Sequence, residues 1–272
     1  MTGGEWIERA ARRLKQAGCP DPEADARFLV LETLGISVSG LGRAVPEGMA
    51  AELEARLARR EQREPLQYIL GTVPFLNLTI RCDSRALIPR PETEYMTDMA
   101  LSLTPKAGFD ALDLCCGTGA IGLSVKKARP LCRMTLSDIS PDALALAGEN
   151  AKENGLIVRL VQGDLFGGLP GETFDFILCN PPYLTGEDMT KLQAEVAREP
   201  EGALFGGADG LDFYRRLARE LPERLRNGGY AFFEVGMGQA RVVAAMMERA
   251  GETKIIEDYS HIERIVMVHR TV

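Results

Sequence analysis

Asp110-Ala111-Leu112-Asp113-Leu114-Cys115-Cys116-Gly117-Thr118-Gly119 is the stretch whose reading settles the fold. Its first half has the length and apolar content of a buried strand, and its second half is a glycine turn opening a helical stretch. Gly117 and Gly119 let the backbone approach a ligand where a Cβ would clash. Outward from this turn the chain alternates. Strands are expected at 110–114, 133–137, 157–162, 174–179, 230–235, 254–258 and 263–269. Helices are expected at about 119–129, 141–154, 188–198, 209–226 and 237–250. Such alternation implies βαβ units and an α/β fold with a mostly parallel sheet. The last two strands follow one another without a helix, so an antiparallel strand is expected at one end.

In open α/β sheets ligands bind at the carboxyl ends of the strands. The second strand ends at Asp138, whose carboxylate can accept hydrogen bonds from both ribose hydroxyls of an adenosine. Ser140 before Pro141 is the better helix cap, which leaves Asp138 for a ligand. The third strand ends at Asp164-Leu165-Phe166, a carboxylate with apolar neighbours suited to an adenine amino group and ring face. An acid at Asp113 points to a cofactor with a positive amine, such as the methionine end of S-adenosylmethionine. The turn lacks the G-x-G-x-x-G spacing, and no basic cluster near it would hold a pyrophosphate, which weighs against a dinucleotide.

The run Phe174 to Cys179 ends in Asn180-Pro181-Pro182-Tyr183. An amide side chain, a rigid carbonyl and a flat ring can together hold a planar group carrying NH₂. The Asn180 side-chain oxygen and the Pro181 carbonyl would each accept one hydrogen, Pro182 would stiffen the loop, and Tyr183 would pack on the amide plane. This arrangement suits methyl transfer to an amide or exocyclic amino nitrogen.

Residues 1–71 read as a helical domain, with Trp6, Ala10 and Leu14 at helical spacing, Asp21-Pro22 opening a second helix, and Met49, Leu53 and Leu57 marking a third. Arg56, Arg59, Arg60 and Arg63 read either as a solvated face or as a patch for a charged partner. Phe75, Leu78, Ile80 and Cys82 suggest a hairpin in a linker over 72–91, and the catalytic domain is expected over 92–272. Pro91-Glu92-Thr93-Glu94 opens a helix whose acids either complement its dipole or line the cofactor pocket. Phe205 to Asp212, rich in glycine, reads either as a surface loop or as one that orders over a substrate. Net charge is −7. Residues 1–90 carry 13 basic against 12 acidic side chains, and the remaining 182 carry 19 against 27. That is no nucleic-acid footprint. Six cysteines in no metal-binding or C-x-x-C spacing, with no leader and no membrane-length apolar run, suggest reduced thiols, no membrane association and a cytoplasmic protein. His261 and His269 have no evident partner in the sequence, and no base is assigned.

Taken together, these residues resemble a class I S-adenosylmethionine-dependent methyltransferase, and more closely the PrmC/HemK family, the N5-glutamine methyltransferases of peptide chain release factors. The resemblance rests on Pro65-Leu66-Gln67-Tyr68-Ile69-Leu70-Gly71, on Leu87-Ile88-Pro89-Arg90-Pro91-Glu92-Thr93-Glu94, on the glycine turn, on Asp138-Ile139-Ser140, on Asn180 to Tyr183, on Glu199-Pro200 and on Gly206 to Asp212. It implies a seven-stranded Rossmann-like sheet with helices on both faces, and a small helical N-terminal domain, joined by a β-hairpin, that helps hold a class-1 release factor. It also implies cofactor contacts at Cys115, Cys116, Gly117, Thr118, Gly119, Asp138, Leu165 and Asn180, and glutamine contacts at Asn180, Pro181, Pro182 and Tyr183. The family commonly has Gly at the position of Cys115, often Trp at Leu165, and Gly at His261. A backbone away from the left-handed region is therefore expected at Cys115. No stable nucleic-acid partner and no oligomer are expected. The competing functions are methylation of exocyclic N6 of adenine or N2 of guanine, and a non-catalytic scaffold. The absent basic groove weighs against the first and the intact reactive loop against the second.

Overall fold

The computed structural model of the chain describes residues 1–271. It divides into two compact units, Met1–Thr72 with Leu192–Arg198, and the remainder from Val73 on.

The first unit is helical. Helix α1 (Gly3–Gln16) starts in a capping box, in which the Thr2 hydroxyl accepts from the Glu5 N–H and the Glu5 carboxylate from the Thr2 N–H. Helix α2 (Pro22–Leu34) has proline in its first turn and ends at Gly35, in the left-handed region at φ 60°. Helices α3 (Glu47–Glu61) and α4 (Leu66–Leu70) complete it. Trp6, Leu14, Leu29, Leu53, Leu57 and Ile69 meet in one apolar core.

Of the four arginines on and just after α3, Arg59 is exposed and Arg56 and Arg63 are half-buried, but Arg60 is not on a solvated face. Arg60 is 3% exposed and pairs with Asp25 and Glu195, both at 2.8 Å. Arg63 makes a two-pronged pair with the same Glu195 at 2.6 and 2.7 Å, while Arg56 and Arg59 pair with Glu52 and Glu64. No guanidinium of the four is left over for a charged partner. Burial alone would raise the Glu195 carboxyl, but the Arg63 and Arg60 hydrogen bonds hold it down at about 2. This tether also explains why 188–198 is not one helix. Only the capped turn α8 (Gly186–Met189) and a 3₁₀ turn at Val196–Arg198 form, because Glu195 is committed to the helical unit.

In the second unit, strands β1 (Thr72–Phe75) and β2 (Leu78–Arg81) pair as the expected hairpin. Phe75, Leu78 and Ile80 pack into this unit's core, so the hairpin is part of it rather than a free linker. Helix α5 (Pro91–Leu103) follows. Then come β3 (Asp110–Leu114), α6 (Ala120–Ala128), β4 (Arg133–Asp138), α7 (Pro141–Glu153), β5 (Arg159–Gln162) and β6 (Phe174–Cys179). After α8 come α9 (Asp212–Arg224), β7 (Leu225–Glu234), α10 (Ala240–Met247), β8 (Glu252–Glu257) and β9 (Glu263–His269).

The seven-stranded sheet has the order β5-β4-β3-β6-β7-β9-β8. Six strands run in one direction, and β9, antiparallel to both neighbours, is inserted between β7 and β8. Helices α5, α6 and α7 cover one face with Met96, Ile121, Leu123 and Leu144, and α9 and α10 cover the other with Tyr214, Leu217, Val243 and Met247. Strand order reverses beside β3, with β4 on one side and β6 on the other. A crevice is expected there, at the carboxyl ends.

Candidate active site

A cavity of about 610 Å³ opens at that crevice, within the 300–1,000 Å³ of small-molecule sites. All of its lining lies in the second unit. After β3 the backbone enters the left-handed region at Cys115 (φ 60°), Gly117 (φ 52°) and Gly119 (φ 79°), and Gly119 caps α6. The Cys115 torsion corrects the expectation of a shifted backbone. A residue with a Cβ occupies the conformation glycine would take without strain. Leu165 (φ 52°) and His261 (φ 58°) do the same.

Asp138 sits opposite the turn. Its Oδ2 accepts from the Gly117 N–H and its Oδ1 from the Ser140 N–H, both at 2.9 Å. Burial raises its carboxyl, and these donors oppose the rise. Each oxygen keeps a lone pair for an incoming hydroxyl. Ser140 caps α7 through the Ala143 N–H, as its position before Pro141 implies. Asp164 and Leu165 also line the cavity, and Asp164 pairs with Arg216 at 2.8 Å.

Asp113 does not serve the cavity. It is fully buried, its Oδ2 accepts from the Gly122 N–H at 2.8 Å, and its Oδ1 has no partner among the described residues. Burial pushes its carboxyl up to about 7. Neither Glu92 nor Glu94 lines the cavity; the Glu94 carboxylate accepts from the Leu76 N–H instead. Between them, buried Thr93 does line it.

Thr93 explains how Asn180 is aimed. The Asn180 Nδ2 donates to Thr93 Oγ1 at 3.1 Å, and the Thr93 hydroxyl donates to Glu234 Oε2 at 2.5 Å. Glu234, the last residue of β7, is 2% exposed, and burial pushes its carboxyl up to about 7. With its NH₂ committed to Thr93, Asn180 has Oδ1 left without a partner among the described residues. Pro182 lines the cavity beside Asn180, whereas Pro181 and Tyr183 do not. Tyr183 lies against Gly236, and burial pushes its phenol up to about 12, so it is no base near neutrality.

The 205–212 segment is a latch on this loop. The Leu184 N–H donates to the Leu204 carbonyl and the Gly206 N–H to the Leu184 carbonyl, both at 2.9 Å. A Cβ on Gly206 would lie 2.6 Å from the Pro182 carbonyl oxygen, and one on Gly210 2.2 Å from that of Tyr183. Glycine is needed there for close approach rather than for mobility. Gln239 adds a bond from Nε2 to the Tyr183 carbonyl at 3.0 Å. Buried Glu199 accepts from the Ile88 N–H at 2.9 Å and pairs with Arg90, fixing one cavity wall. Glu234 and Gln239 carry no motif signal to single them out by sequence, and Thr93 lies in a quoted motif but without its role. Glu199 lies in a quoted motif, but without its role.

The cavity fits S-adenosylmethionine by its donor set. A carboxylate with free lone pairs faces a glycine turn, and apolar walls flank it. The three arginines in its lining, Arg85, Arg90 and Arg216, are each tied to carboxylates, so none is free for a pyrophosphate. His261 is exposed beside Glu257 at 3.4 Å, and His269 stacks on Tyr230; neither is among the cavity residues.

Comparison with known proteins agrees with this geometry. Residues 95–207 match the methyltransferase small domain, and residues 5–71 match the PrmC N-terminal domain. The release factor glutamine methyltransferase of Deinococcus radiodurans is 38% identical over 272 residues, covering 98% of either chain. That of Geobacter sulfurreducens is 39% identical, covering 93% of this chain and 91% of the relative. A methyltransferase from Pyrococcus furiosus superposes with a TM-score of 0.57 at 19% identity, covering 84% of this chain and all of that one. The T. thermophilus 16S rRNA N2 G1207 methyltransferase, solved with AdoMet and guanosine, superposes at 0.55 with 14% identity, covering 73% and 49%. The two structures share the fold, and the near-full-length sequence identity decides the family: the chain belongs to the release factor glutamine methyltransferases.

Proposed function

We propose that the protein transfers a methyl group from S-adenosylmethionine to the side-chain amide nitrogen of the glutamine in the GGQ motif of class-1 peptide chain release factors. The observation that carries this is the Glu234–Thr93–Asn180 chain, which turns an amide oxygen toward the cavity at the end of β6. An amide nitrogen is a poor nucleophile because its lone pair is delocalised into the carbonyl. Asn180 Oδ1 would accept one hydrogen of the substrate NH₂, and the Pro181 carbonyl, on the same loop though outside the cavity lining, would accept the other, orienting the nitrogen and stabilising positive charge that develops on it. Pro182 stiffens the loop, and Tyr183, held by Gln239 and Gly236, sets its path. Holding the nitrogen in a near-attack geometry is worth on the order of 7–11 kcal/mol.

The cofactor supplies an electrophilic methyl on a sulfonium. Asp138 would take its ribose hydroxyls, the Cys115–Gly119 backbone would face its methionine end, and Asp164 with Leu165 would border its adenine. The helical unit would help hold the release factor. Arg56, Arg59, Arg60 and Arg63 are spent on internal pairs, so that contact would be made by other side chains. Six free cysteines fit a reducing cytoplasm, and we read the protein as a monomer without a stable nucleic-acid partner. Among the described residues no helix is long and apolar enough to cross a membrane.

The test is labelled S-adenosylmethionine with an unmodified class-1 release factor, beside a factor whose GGQ glutamine is replaced by alanine. Label in the first alone is expected. Equal label in both would overturn the proposal, as would transfer to RNA with none to the factor.

A further inference from the structure

We propose that Cys115 and Cys179 form a redox-responsive thiol pair beside the cofactor cavity, closing to a disulfide on exposure to hydrogen peroxide. The pair follows from the sheet register. Strands β3 and β6 are parallel neighbours with Leu114 level with Cys179, and Cys115 is one residue further on. With strands about 4.8 Å apart and a rise of about 3.3 Å per residue, the two Cα atoms lie roughly 5.8 Å apart. That falls in the middle of the range a disulfide spans. The left-handed torsion at Cys115 keeps its side chain with the apolar cluster that holds Cys179. Cys116 packs in the cluster on the opposite face of the sheet, so the vicinal pair diverges.

Access is unequal. Cys115 is partly exposed and lines the cavity, whereas Cys179 is fully buried. Peroxide therefore meets Cys115 first. The Cys115 sulfur attacks the peroxide; an S–O bond forms, the O–O bond breaks, and one water leaves with the thiol proton, giving a sulfenic acid. The Cys179 sulfur then attacks the Cys115 sulfur; the S–S bond forms, the S–O bond breaks, and hydroxide leaves with the Cys179 proton as a second water. The two thiols lose two electrons and two protons, and peroxide is reduced to two waters. A small-molecule thiol reverses the step by exchange. Transient disulfides of this kind are the sort a reducing compartment permits.

The consequence is local. Cys115 begins the turn whose Gly117 N–H meets Asp138, and Cys179 directly precedes Asn180. A cross-link draws the turn toward β6 and pulls its backbone away from Asp138, so cofactor affinity falls. This also accounts for a side chain where φ favours glycine: the strained residue is retained for its sulfur.

The experiment uses the reduced full-length protein titrated with hydrogen peroxide, alkylated and digested with trypsin. Mass spectrometry is expected to show a reducible cross-link between the peptide bearing Cys115 and that bearing Cys179, before Cys19, Cys82 or Cys132 is modified. The Kd for S-adenosylmethionine should rise at least tenfold and recover with dithiothreitol. In Cys179→Ala, dimedone should trap a sulfenic acid at Cys115 with no cross-link. A Cys115–Cys116 disulfide, or Cys115 oxidised to sulfinic acid without the cross-link, would overturn the proposal. These readouts do not depend on the identity of the methyl acceptor.

Discussion

Replacing Glu234 by Gln should lower turnover and raise stability at the same pH. The Glu234–Thr93–Asn180 chain has a direction. An ionised carboxylate only accepts, so the Thr93 hydroxyl donates to Glu234 at 2.5 Å and its lone pairs face the Asn180 NH₂ at 3.1 Å. Asn180 Oδ1 is then turned to the cavity. A glutamine at 234 can donate instead. The Thr93 proton then turns to Asn180, whose amide flips and presents NH₂ to the substrate NH₂. One accepting bond is lost and two donors face each other, a cost of about 1.5–3 kcal/mol. That corresponds to a fall in kcat of roughly 10- to 100-fold.

Protonating Glu234 itself should act in the same way. Burial pushes its carboxyl up to about 7; the Thr93 hydrogen bond opposes the rise, Glu92 adds to it, and Arg264 and Arg90 oppose it. Wild-type kcat should therefore fall as pH drops below about 7, approaching tenfold per pH unit until the flipped form sets a floor, while Glu234→Gln stays low and flat. Stability runs the other way. The folded value, about 7, lies above the ordinary 4.5, so this group's contribution is full below about 4.5 and is lost as pH rises through about 7. The difference amounts to at most roughly 3 kcal/mol. At pH 8 the variant should unfold at higher urea than wild type while turning over more slowly. Steady-state rates at saturating cofactor from pH 6 to 8.5, beside urea melts, decide it. A variant with wild-type kcat at pH 8 would refute the reasoning, as would a wild-type rate that does not fall on acidification.

Asn180→Ala should abolish methyl transfer while largely retaining cofactor binding; equal incorporation from labelled S-adenosylmethionine by variant and wild type would contradict it. Arg60→Met leaves Asp25 without its guanidinium partner and Glu195 with one arginine, and should destabilise the helical unit by about 3–5 kcal/mol in urea unfolding. Asp113→Asn should stabilise the protein at pH 8 by on the order of 2–4 kcal/mol, because a carboxyl raised to about 7 by burial contributes fully only below its ordinary 3.8 and loses that contribution through about 7. Its Kd for S-adenosylmethionine should not change, as Asp113 is absent from the cavity lining. Gly206→Ala, whose Cβ would meet the Pro182 carbonyl at 2.6 Å, should lower kcat at least tenfold by displacing the reactive loop, read by single-turnover transfer.

The parallel core of the sheet was legible because both of its faces are covered. Strands β3 and β6 are mostly apolar, interrupted only by Asp113 and Asp175, and the residues just past each strand had to be ligand-facing or turn-forming. Cys115 to Thr118, Asp138, Asp164, Leu165, Asn180 and Pro182 all border the cavity for that reason, whereas Gly119 caps the helix behind the turn and is not in the lining. What the sequence concealed are contacts between residues distant along the chain. Arg60 looks solvated on a helix wheel until Asp25 and Glu195 arrive from elsewhere, and Glu195 in turn breaks a stretch whose composition favours helix. Thr93 carries no catalytic signature; only its place between residues 180 and 234 gives it one.

The glycines show the same limit from the other side. Gly206 and Gly210 read as freedom, yet in the structure they are where two backbones come too close for a Cβ. A latch of this kind holds the reactive loop by shape, so it needs no ordering step to form. Conversely, Cys115 and Leu165 hold left-handed torsions without being glycine, and both line the cavity. Strain carried by a side chain persists where the surroundings over-determine it. Here the strand ends do so, with the Cys116 N–H bound to Ser137 and the Gly117 N–H to Asp138. The turn is thus shaped before any ligand arrives, and binding need not supply the free energy of shaping it.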